Sequence, residues 1–270
     1  EGAAEWRLKW YEYRAIFLTQ QRIEEGVEFI DAHADALARA ESTYGVPAEI
    51  ITAIIGVETY YGRHKGQHRV LDSLATLAFH HPARGAFFRG ELAAFLRIAY
   101  EQKVDPTELR GSYAGAMGYP QFIPTSYQAY AVDFDGDGRR DLWENPVDAI
   151  GSVANYFAEH NWKPDADIYH HASGPDVMPV ELLQELSFNQ TSPPEVSIAQ
   201  LAAHGLEPSE PLDDNLPVVP LALEFADGET RYRFGEYNFY VITRYNHSHL
   251  YAMAVAELAE AIAELHEDKG

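Results

Sequence analysis

The chain has 270 residues, enough to bury a substantial core, and its 46% hydrophobic and 13% aromatic content excludes a disordered protein. A formal net charge of -22 argues against nucleic acid and against an anionic membrane surface, because both partners need a basic footprint. Without cysteine there are no disulfides, thiolate nucleophiles or cysteine zinc sites, and no apolar run reaches the roughly 20 residues of a membrane span.

Apolar residues recur at helical spacing through the first half of the chain, which predicts a mostly helical region. The pattern returns on both sides of a turn-rich stretch and again at the end of the sequence. The predicted helices cover 6–40, 48–61 and 86–102, then a helix from about Ser126, one from Asn145-Pro146 to about His160, and one from about His249 to Leu265.

The region between these helices has a different pattern. From 164 to 220, nine prolines break the sequence into short pieces, which is typical of an inserted lobe. The next segment alternates apolar and polar residues around Asp227-Gly228 and predicts a hairpin followed by a further strand. We therefore expect a helical core over 1–163, a smaller β-containing lobe over 164–237, and a return to the core over 238–270.

Glu58 interrupts an otherwise apolar helical run in the segment IITAIIGVETYYGRHKG. It follows Ile51 and Ile55 at the i, i+4, i+7 spacing of one helix face, so its carboxylate shares a stripe that should pack inward. A buried carboxylate loses hydration and tends to hold its proton towards neutral pH, as a general acid must. The alternative is a helix-end glutamate that turns to solvent or pairs with an arginine, since structural carboxylates outnumber catalytic ones.

The segment DFDGDGRRDLWE, from Asp133 to Glu144, matches the template of an EF-hand calcium loop. Carboxylates stand at positions 1, 3, 5 and 9, glycine at position 6 and glutamate at position 12. This spacing curls Asp133, Asp135 and Asp137 around one point, where the Arg139 carbonyl adds an oxygen. Because the loop occurs once, whereas signalling EF-hands come in pairs, we expect a structural calcium ion; a solvated acidic turn is the alternative.

Two residues compete for the last position in the calcium site. Glu144 is the bidentate position of the template, yet Asn145-Pro146 directly after it can turn the chain and pass that role to Asp148. The predicted calcium ligands are Asp133, Asp135, Asp137, Arg139 and Asp148, with Glu144 left open as the competitor of Asp148.

Four segments, in order, resemble the lytic murein transglycosylase B family: AIIGVETYYGRHKG, GSYAGAMGYPQFIPTSYQAYAVDFDGDGRRDLW, NPVDAIGSVANYF and NFYVITRYN. The resemblance extends from about Trp10 to about Asn246 and is weakest between 165 and 235. It implies a mainly α (α+β) fold with a core like goose-type lysozyme, a helical lobe, an EF-hand-like calcium loop and a small β lobe. It also implies cleavage of the β-1,4 bond between N-acetylmuramic acid and N-acetylglucosamine in peptidoglycan, with formation of a 1,6-anhydro end.

Glu58 matches the catalytic acid of this family. Most glycosidases flank the scissile bond with two carboxylates, but the sequence offers no obvious second one near these motifs. The resemblance implies an intramolecular reaction, in which the muramic C6 hydroxyl attacks and Glu58, by then a carboxylate, takes its proton. The N-acetyl carbonyl of the substrate would offset the oxocarbenium charge.

The resemblance also implies a substrate groove, with four more residues of this sequence at its matched positions. Ser112 would contact the N-acetyl group or Glu58, and Gln121 would bind the glycan near the cleaved bond. Met117 and Tyr119 would help to line the groove.

Three tyrosines match the family's pattern outside that segment. Tyr156, Tyr240 and Tyr245 would stack on sugar faces or form hydrogen bonds with ring substituents. Without the resemblance, core packing with a satisfied hydroxyl would be the preferred interpretation of each.

The histidines carry little information about function. His64 and His68 have the i, i+4 spacing of some zinc ligands, but no HExxH motif surrounds them and Gly66 interrupts the possible helix. We interpret these two, and also His247 and His249, as surface residues.

Two functional alternatives stay open. A hydrolysing muramidase would use water in place of the C6 hydroxyl, whereas a catalytically silent peptidoglycan-binding module would share only the calcium-stabilised fold; Glu58, Ser112 and Gln121 argue against the latter. The implied partners are peptidoglycan glycan strands, with other cell-wall enzymes as further candidates. The implied location is the periplasm of a Gram-negative bacterium, often with attachment to the outer membrane by a lipid on an N-terminal cysteine, in a segment that this sequence does not contain.

Overall fold

The computed structural model describes residues 8–270, so the first two residues of the predicted helix 6–40 lie outside the described part. Most of the chain is helical, as predicted. The helices are α1 Trp10–Phe17, α2 Gln20–Ala32, α3 Ala34–Tyr44, α4 Ala48–Thr59, α5 Val70–His80, α6 Gly85–Gln102, α7 Pro124–Tyr130, α8 Pro146–Glu159, α9 Val180–Glu185, α10 Ile198–Ala202, α11 Tyr237–Tyr245 and α12 His249–Lys269. The strands are β1 His68–Arg69, β2 Arg110–Gly111, β3 Tyr169–Ser173, β4 Val196–Ser197, β5 Glu207–Pro208, β6 Pro217–Glu224 and β7 Thr230–Gly235.

One compact unit comprises residues 24–159 and 262–270 and is mainly helical. Helix α4 lies inside it and contacts both α3 and α8, while α5 packs along α6. A helix that is apolar nearly all round must be buried, and Ile50, Ile51, Ile54 and Ile55 of α4 are each 2% exposed or less. The core of this unit therefore forms around the helix that carries Glu58.

The other unit comprises residues 8–23 and 160–261 and contains a five-stranded sheet with the strand order β4, β6, β7, β3, β5. All of its strand pairs are antiparallel. Strands β6 and β7 form the predicted hairpin: Glu224 pairs with Thr230, and Gly228 takes a left-handed φ of 82° in the turn. These two units confirm the predicted fold class, mainly α with a small β region.

The strand predicted after this hairpin is wrong. Residues 237–245 form the helix α11, in which Phe239 and Ile242, three residues apart, are both completely buried. The run Phe239, Val241, Thr243 also alternates with period 2, so a short apolar segment fitted both periodicities. The Phe239 N–H donates to the carbonyl of Glu236 at 3.0 Å, which starts the helix directly after β7.

Residues 238–261 cluster with the sheet rather than with the helical unit. Arg233 of β7 pairs with Glu257 of α12 at 2.9 Å, and the Tyr169 hydroxyl of β3 donates to Glu260 at 3.0 Å. These contacts join the C-terminal helix to the sheet. Sequence periodicity alone gives the length of such a helix but not its packing partner.

Three of the four histidines are exposed, as predicted: His64, His68 and His247. His64 and His68 do not share a helix, because Gly66 between them has a left-handed φ of 99°. His249 corrects the prediction, since it is half-buried at the start of α12 and desolvation lowers its pKa to about 4. Within residues 8–270, no helix combines the length and apolar character needed to cross a membrane.

Candidate active site

Helix α4 presents Glu58 in its last turn. A left-handed Gly45 (φ 76°) ends the preceding helix, and Pro47 at the N-cap starts α4. Ile51 and Ile55 have no exposed surface, whereas Glu58, farther along the same face, is half-buried. The structure therefore corrects the expectation of a buried carboxylate: Glu58 lies at the edge of the apolar core, where part of its surface is accessible to a ligand.

The chain turns sharply directly after this helix. Tyr60, Tyr61 and Gly62 are all left-handed, with φ of 52°, 61° and 93°. A non-glycine residue in this region costs about 1–3 kcal/mol and persists only where its surroundings determine it. Here the Tyr61 N–H donates to the carbonyl of Ile55 at 3.3 Å, which closes the end of α4. The turn therefore ends α4 directly after Thr59, which places Glu58 in the last turn of the helix.

Thr59 lies between Glu58 and this turn, and sequence reasoning missed it. Its side chain is 1% exposed, and Oγ1 donates to the carbonyl of Tyr119 at 2.9 Å. The bond joins the end of α4 to the segment that carries Gln121. The available signal was a hydroxyl directly after the catalytic candidate in an apolar run.

The segment 111–122 forms a compact loop around Ser112. The Ser112 hydroxyl accepts N–H bonds from Ala114 (3.2 Å) and Ala116 (3.0 Å). Met117 and Phe122 exchange backbone bonds of 2.9 and 3.2 Å across the loop. Because Ser112 Oγ already accepts two bonds, its own proton is left for donation.

Gln121 is held rigidly in the same loop. Its backbone has a left-handed φ of 54°, and its side-chain Nε2 donates to the carbonyls of Gly118 (2.9 Å) and Lys65 (3.2 Å). Both amide protons are therefore engaged. Oε1 accepts no bond from the described part of the chain, so it can accept one from a ligand.

Lys65 is a second residue that sequence reasoning missed. Its carbonyl accepts from Gln121, its Nζ donates to the carbonyl of Trp143, and Nζ lies 4.9 Å from the centre of the Tyr119 ring. The lysine thus contacts both the Gln121 loop and the end of the acidic loop. A lysine directly after a histidine and three residues before the next one carries no recognisable spacing, so the sequence had no signal for this role.

Tyr119 and Gly118 pack directly against the end of the acidic loop. The Tyr119 N–H donates to the carbonyl of Leu142 at 2.8 Å, and a Cβ on Gly118 would lie 2.2 Å from that same oxygen. Only glycine allows this approach. Burial, followed by the charges of Glu144 and Asp141, raises the pKa of the half-buried Tyr119, so its phenol stays neutral.

Met117 and Tyr156 are more buried than a groove-lining role requires. Met117 has no exposed surface, and its backbone is paired on both sides, with Gly111 and with Phe122. Tyr156 is 8% exposed, and its ring contacts Phe122 at 5.9 Å and Tyr130 at 4.9 Å between centres. The Met117 side chain therefore packs on the buried side of the loop, and at most one edge of the Tyr156 ring is accessible to a ligand.

Tyr240 and Tyr245 belong to the unit that contains the sheet. Tyr240 is half-buried on α11, with the guanidinium of Arg244 4.6 Å from its ring centre. Tyr245 is also half-buried, and its ring stacks on Tyr251 with 6.5 Å between centres and 9° between planes. Each tyrosine keeps part of its side chain accessible.

The acidic loop, Asp133 to Glu144, gathers carboxylates as predicted. One oxygen each from Asp133, Asp135, Asp137 and Asp148 lies within 4.8 Å of the others. Calcium binds oxygens at about 2.3–2.6 Å, so ligands on opposite sides of one ion lie about twice that distance apart. The oxygen spacing and the hard donor set therefore fit calcium.

Asp148 and Glu144 differ sharply in their surroundings. Asp148 is completely buried, accepts N–H bonds from Phe134 (2.8 Å) and Asp141 (2.9 Å), and has its pKa raised to about 6, chiefly by burial. The Glu144 side chain is exposed and lies 3.7 Å from Lys65 Nζ. The carboxylate cluster thus contains Asp148 and not Glu144.

Comparison with known proteins gives concordant results. The profile of the transglycosylase SLT domain family matches residues 1–260. Membrane-bound lytic murein transglycosylase B of Escherichia coli K12 is 48% identical over 254 residues, covering 94% of this chain and 67% of that protein.

Two solved structures share the fold. Escherichia coli lytic transglycosylase Slt35 in complex with calcium is 48% identical. The match covers 95% of this chain and 79% of the Slt35 chain, with a TM-score of 0.87. Pseudomonas aeruginosa SltB3 in complex with NAG-anhNAM-pentapeptide is 32% identical. The match covers 93% of this chain and 66% of the SltB3 chain, with a TM-score of 0.81. With a family match over nearly the whole length, the chain belongs to the transglycosylase SLT domain family, the lytic murein transglycosylases.

Proposed function

We propose that this enzyme cleaves the β-1,4 bond between N-acetylmuramic acid and N-acetylglucosamine and leaves a 1,6-anhydro end, with Glu58 as the one acid and base. The observation that carries the proposal is the half-buried carboxylate at the end of an apolar helix, joined through Thr59 to the Gln121 loop. The anhydro-muramic ligand of SltB3 supports the same product. Mass analysis of digested peptidoglycan tests it.

Glu58 acts first as a general acid. Its position in the last turn of α4, with part of its surface accessible, lets the protonated carboxyl group give its proton to the leaving sugar oxygen. A ligand in the site would exclude water from the reacting groups. The glycosidic bond then breaks, and positive charge develops at the anomeric carbon of the muramic residue.

Glu58 then acts as a base in the second step. As a carboxylate it takes the proton of the muramic C6 hydroxyl while that oxygen bonds to the anomeric carbon. The attacking group is part of the substrate, so the step needs no nucleophile from the protein. The N-acetyl carbonyl of the same sugar offsets the developing charge, as in substrate-assisted glycosidases.

Ser112 and Gln121 hold the sugar during both steps. The free proton of the Ser112 hydroxyl is suited to the N-acetyl oxygen or to Glu58, and Oε1 of Gln121 is suited to a sugar hydroxyl or amide N–H. Both side chains are fixed by bonds to the backbone before any ligand binds. Such preorganisation lowers the cost of ordering the site around the transition state.

The aromatic residues have secondary roles in this proposal. Tyr119, Tyr240 and Tyr245 are accessible enough to stack on a sugar face or to form a hydrogen bond through the phenol. Tyr156 contacts a sugar through its exposed edge alone, and Met117 contributes by filling the space behind the loop.

We expect replacement of Ser112 by alanine to lower kcat roughly 10²-fold, the usual effect of removing one donor that stabilises transition-state charge. Turnover of soluble glycan fragments measures it, with Ser126→Ala, on the neighbouring helix α7, as the matched control. A kcat of Ser112→Ala that stays close to that of the control contradicts the role given to this hydroxyl.

The acidic loop binds one calcium ion that stabilises the fold and takes no part in the chemistry. Asp133, Asp135, Asp137 and Asp148 supply carboxylate oxygens, and the Arg139 carbonyl adds another. The ion neutralises four carboxylates that repel one another when held this close. The calcium complex of Slt35 supports this assignment.

Calcium in excess should raise the melting temperature of the protein, because binding at a hundredfold excess over Kd stabilises the folded state by about 2.7 kcal/mol. Asp148→Asn should abolish most of this rise, whereas Glu144→Gln should keep it, since Glu144 lies outside the cluster. Thermal unfolding with chelator and with millimolar calcium measures both. A response lost in Glu144→Gln and kept in Asp148→Asn would reverse the assignment of the last ligand.

Location and partners follow from the substrate. Peptidoglycan strands are the partner that the site requires, and we place the enzyme in the periplasm, at the inner side of the outer membrane. The relative from Escherichia coli is described as membrane-bound, which supports this location. Fractionation of cells that express the complete gene product tests it.

Two other activities would use the same scaffold. In a hydrolysing muramidase, water replaces the C6 hydroxyl and the product keeps a reducing end. In a silent binding module, Glu58 would be dispensable for any effect on peptidoglycan. Product analysis separates the first from the proposal, and Glu58→Gln separates the second.

A further inference from the structure

Thr59 makes contacts that its place at a helix end does not require. Its Oγ1 lies 3.2 Å from the carbonyl of Ile55, the usual partner of a helical threonine, but only 2.9 Å from the carbonyl of Tyr119. The same oxygen accepts the N–H of Gly62 at 3.1 Å. One buried hydroxyl thus contacts its own helix, the left-handed turn after it and a loop sixty residues away.

Thr52 shows what an ordinary buried threonine does in this helix. Thr52 has no exposed surface, and its hydroxyl donates at 2.8 Å to the carbonyl of Ala48, one helical turn earlier. The Thr52 bond stays within the helix, whereas the shorter Thr59 contact, to the Tyr119 carbonyl, joins the helix to another segment. The comparison separates a hydroxyl that satisfies local backbone from one that joins two segments.

Both backbone polar groups of Tyr119 form hydrogen bonds with distant segments. Its carbonyl accepts from Thr59, and its N–H donates at 2.8 Å to Leu142 at the end of the acidic loop. Two residues farther on, Gln121 bonds to the carbonyls of Gly118 and Lys65. The bond from Thr59 to the Tyr119 carbonyl therefore links the last turn of α4 directly to the segment that carries Gln121, beside the bond from Gln121 to Lys65.

We propose that Thr59 is a positioning residue that fixes the Glu58 carboxylate relative to Gln121 through the Tyr119 carbonyl. The inference rests on the proposed function, in which Glu58 gives and takes the proton and Gln121 holds the sugar. A general acid must reach the leaving oxygen within hydrogen-bond distance, and a displacement of about 1 Å can cost 10²-fold in rate. Loss of the hydroxyl leaves Glu58 present but less well directed.

The test replaces the hydroxyl without changing the volume of the side chain. Thr59→Val should lower kcat by about 10²-fold with KM changed less than about threefold, because ground-state binding does not need the aligned acid. Thr59→Ser keeps the hydroxyl and should stay within about fivefold of wild-type kcat. Thr52→Val, the matched control, loses a buried hydroxyl from the same helix and should keep kcat and KM.

Each variant is assayed on soluble glycan fragments, with calcium present, well below its own melting temperature. If Thr59→Val does not fold, Thr59→Ala takes its place, since it also lacks the hydroxyl. The inference is overturned if the Thr59 variant without the hydroxyl keeps wild-type kcat. It is also overturned if kcat of Thr59→Ser or of Thr52→Val falls as far as kcat of that variant. Glu58→Gln distinguishes the two levels: activity in that variant refutes the proposed function, whereas an inactive Glu58→Gln beside a fully active Thr59→Val refutes only the role of Thr59.

Discussion

Glu58→Gln should reduce turnover of peptidoglycan by about 10⁴-fold or more while leaving glycan binding nearly unchanged. General acid or base catalysis contributes typically 10²- to 10⁴-fold, and in the proposed mechanism one carboxylate serves both steps, so we expect a loss at the upper end. Glutamine keeps the shape and hydrogen-bonding size of the side chain but cannot donate a proton to the leaving oxygen. The release of muropeptides from purified sacculi measures turnover, and sedimentation with sacculi measures binding.

Glu49→Gln is the matched control for this variant. Glu49 lies in the first turn of the same helix, so its replacement tests the effect of removing one negative charge from α4. We expect it to keep full activity. Digestion by Glu58→Gln at a rate within a few-fold of that of Glu49→Gln would show that the catalytic acid is elsewhere.

A substrate that lacks the muramic C6 hydroxyl should bind normally but react about 10³-fold more slowly. An intramolecular nucleophile can act with an effective molarity of roughly 10⁵ M, well above the concentration of liquid water, so water cannot replace it efficiently. A synthetic glycan with 6-deoxymuramic acid, compared with the parent glycan, measures the difference in kcat. Turnover of the natural substrate should yield muropeptides that end in 1,6-anhydromuramic acid.

Labelled water gives the opposing result if the enzyme is a hydrolase. In water enriched in oxygen-18, a muramidase would place the label on the new muramic end, and most products would keep a reducing end. Chromatography with mass spectrometry distinguishes the two ends directly. A majority of labelled reducing ends would promote the muramidase alternative, and the 6-deoxy substrate would then react at nearly the normal rate.

The sequence predicted well what depends on local spacing. The acidic loop could be recognised because its aspartates alternate at fixed positions, and the structure gathers three of them with Asp148. Helix α4 could be recognised from its apolar spacing, Pro47 and Gly62, to within two residues of its end. In both cases the information lies within about a dozen consecutive residues, where backbone geometry leaves few alternatives.

What the sequence missed depends on contacts between distant segments. The bond from Thr59 to Tyr119 joins residues sixty positions apart, and no spacing rule predicts it. The complete burial of Met117 and the partial exposure of Glu58 likewise depend on the tertiary packing of their segments. Helix α11 was missed for another reason, because a nine-residue apolar segment satisfied both strand and helix periodicity.

The approach of Gly118 to Leu142 constrains how this scaffold can be re-engineered. The backbone at 118 has no room for a side chain, and the neighbouring Tyr119 N–H needs the Leu142 oxygen at its present place. A loop grafted from another enzyme at 111–122 would meet the wrong surface unless the stretch around 141–143 came with it. We therefore expect the two segments to be exchangeable only together, because a chimaera that takes one of them alone risks a steric conflict between residue 118 and the Leu142 carbonyl.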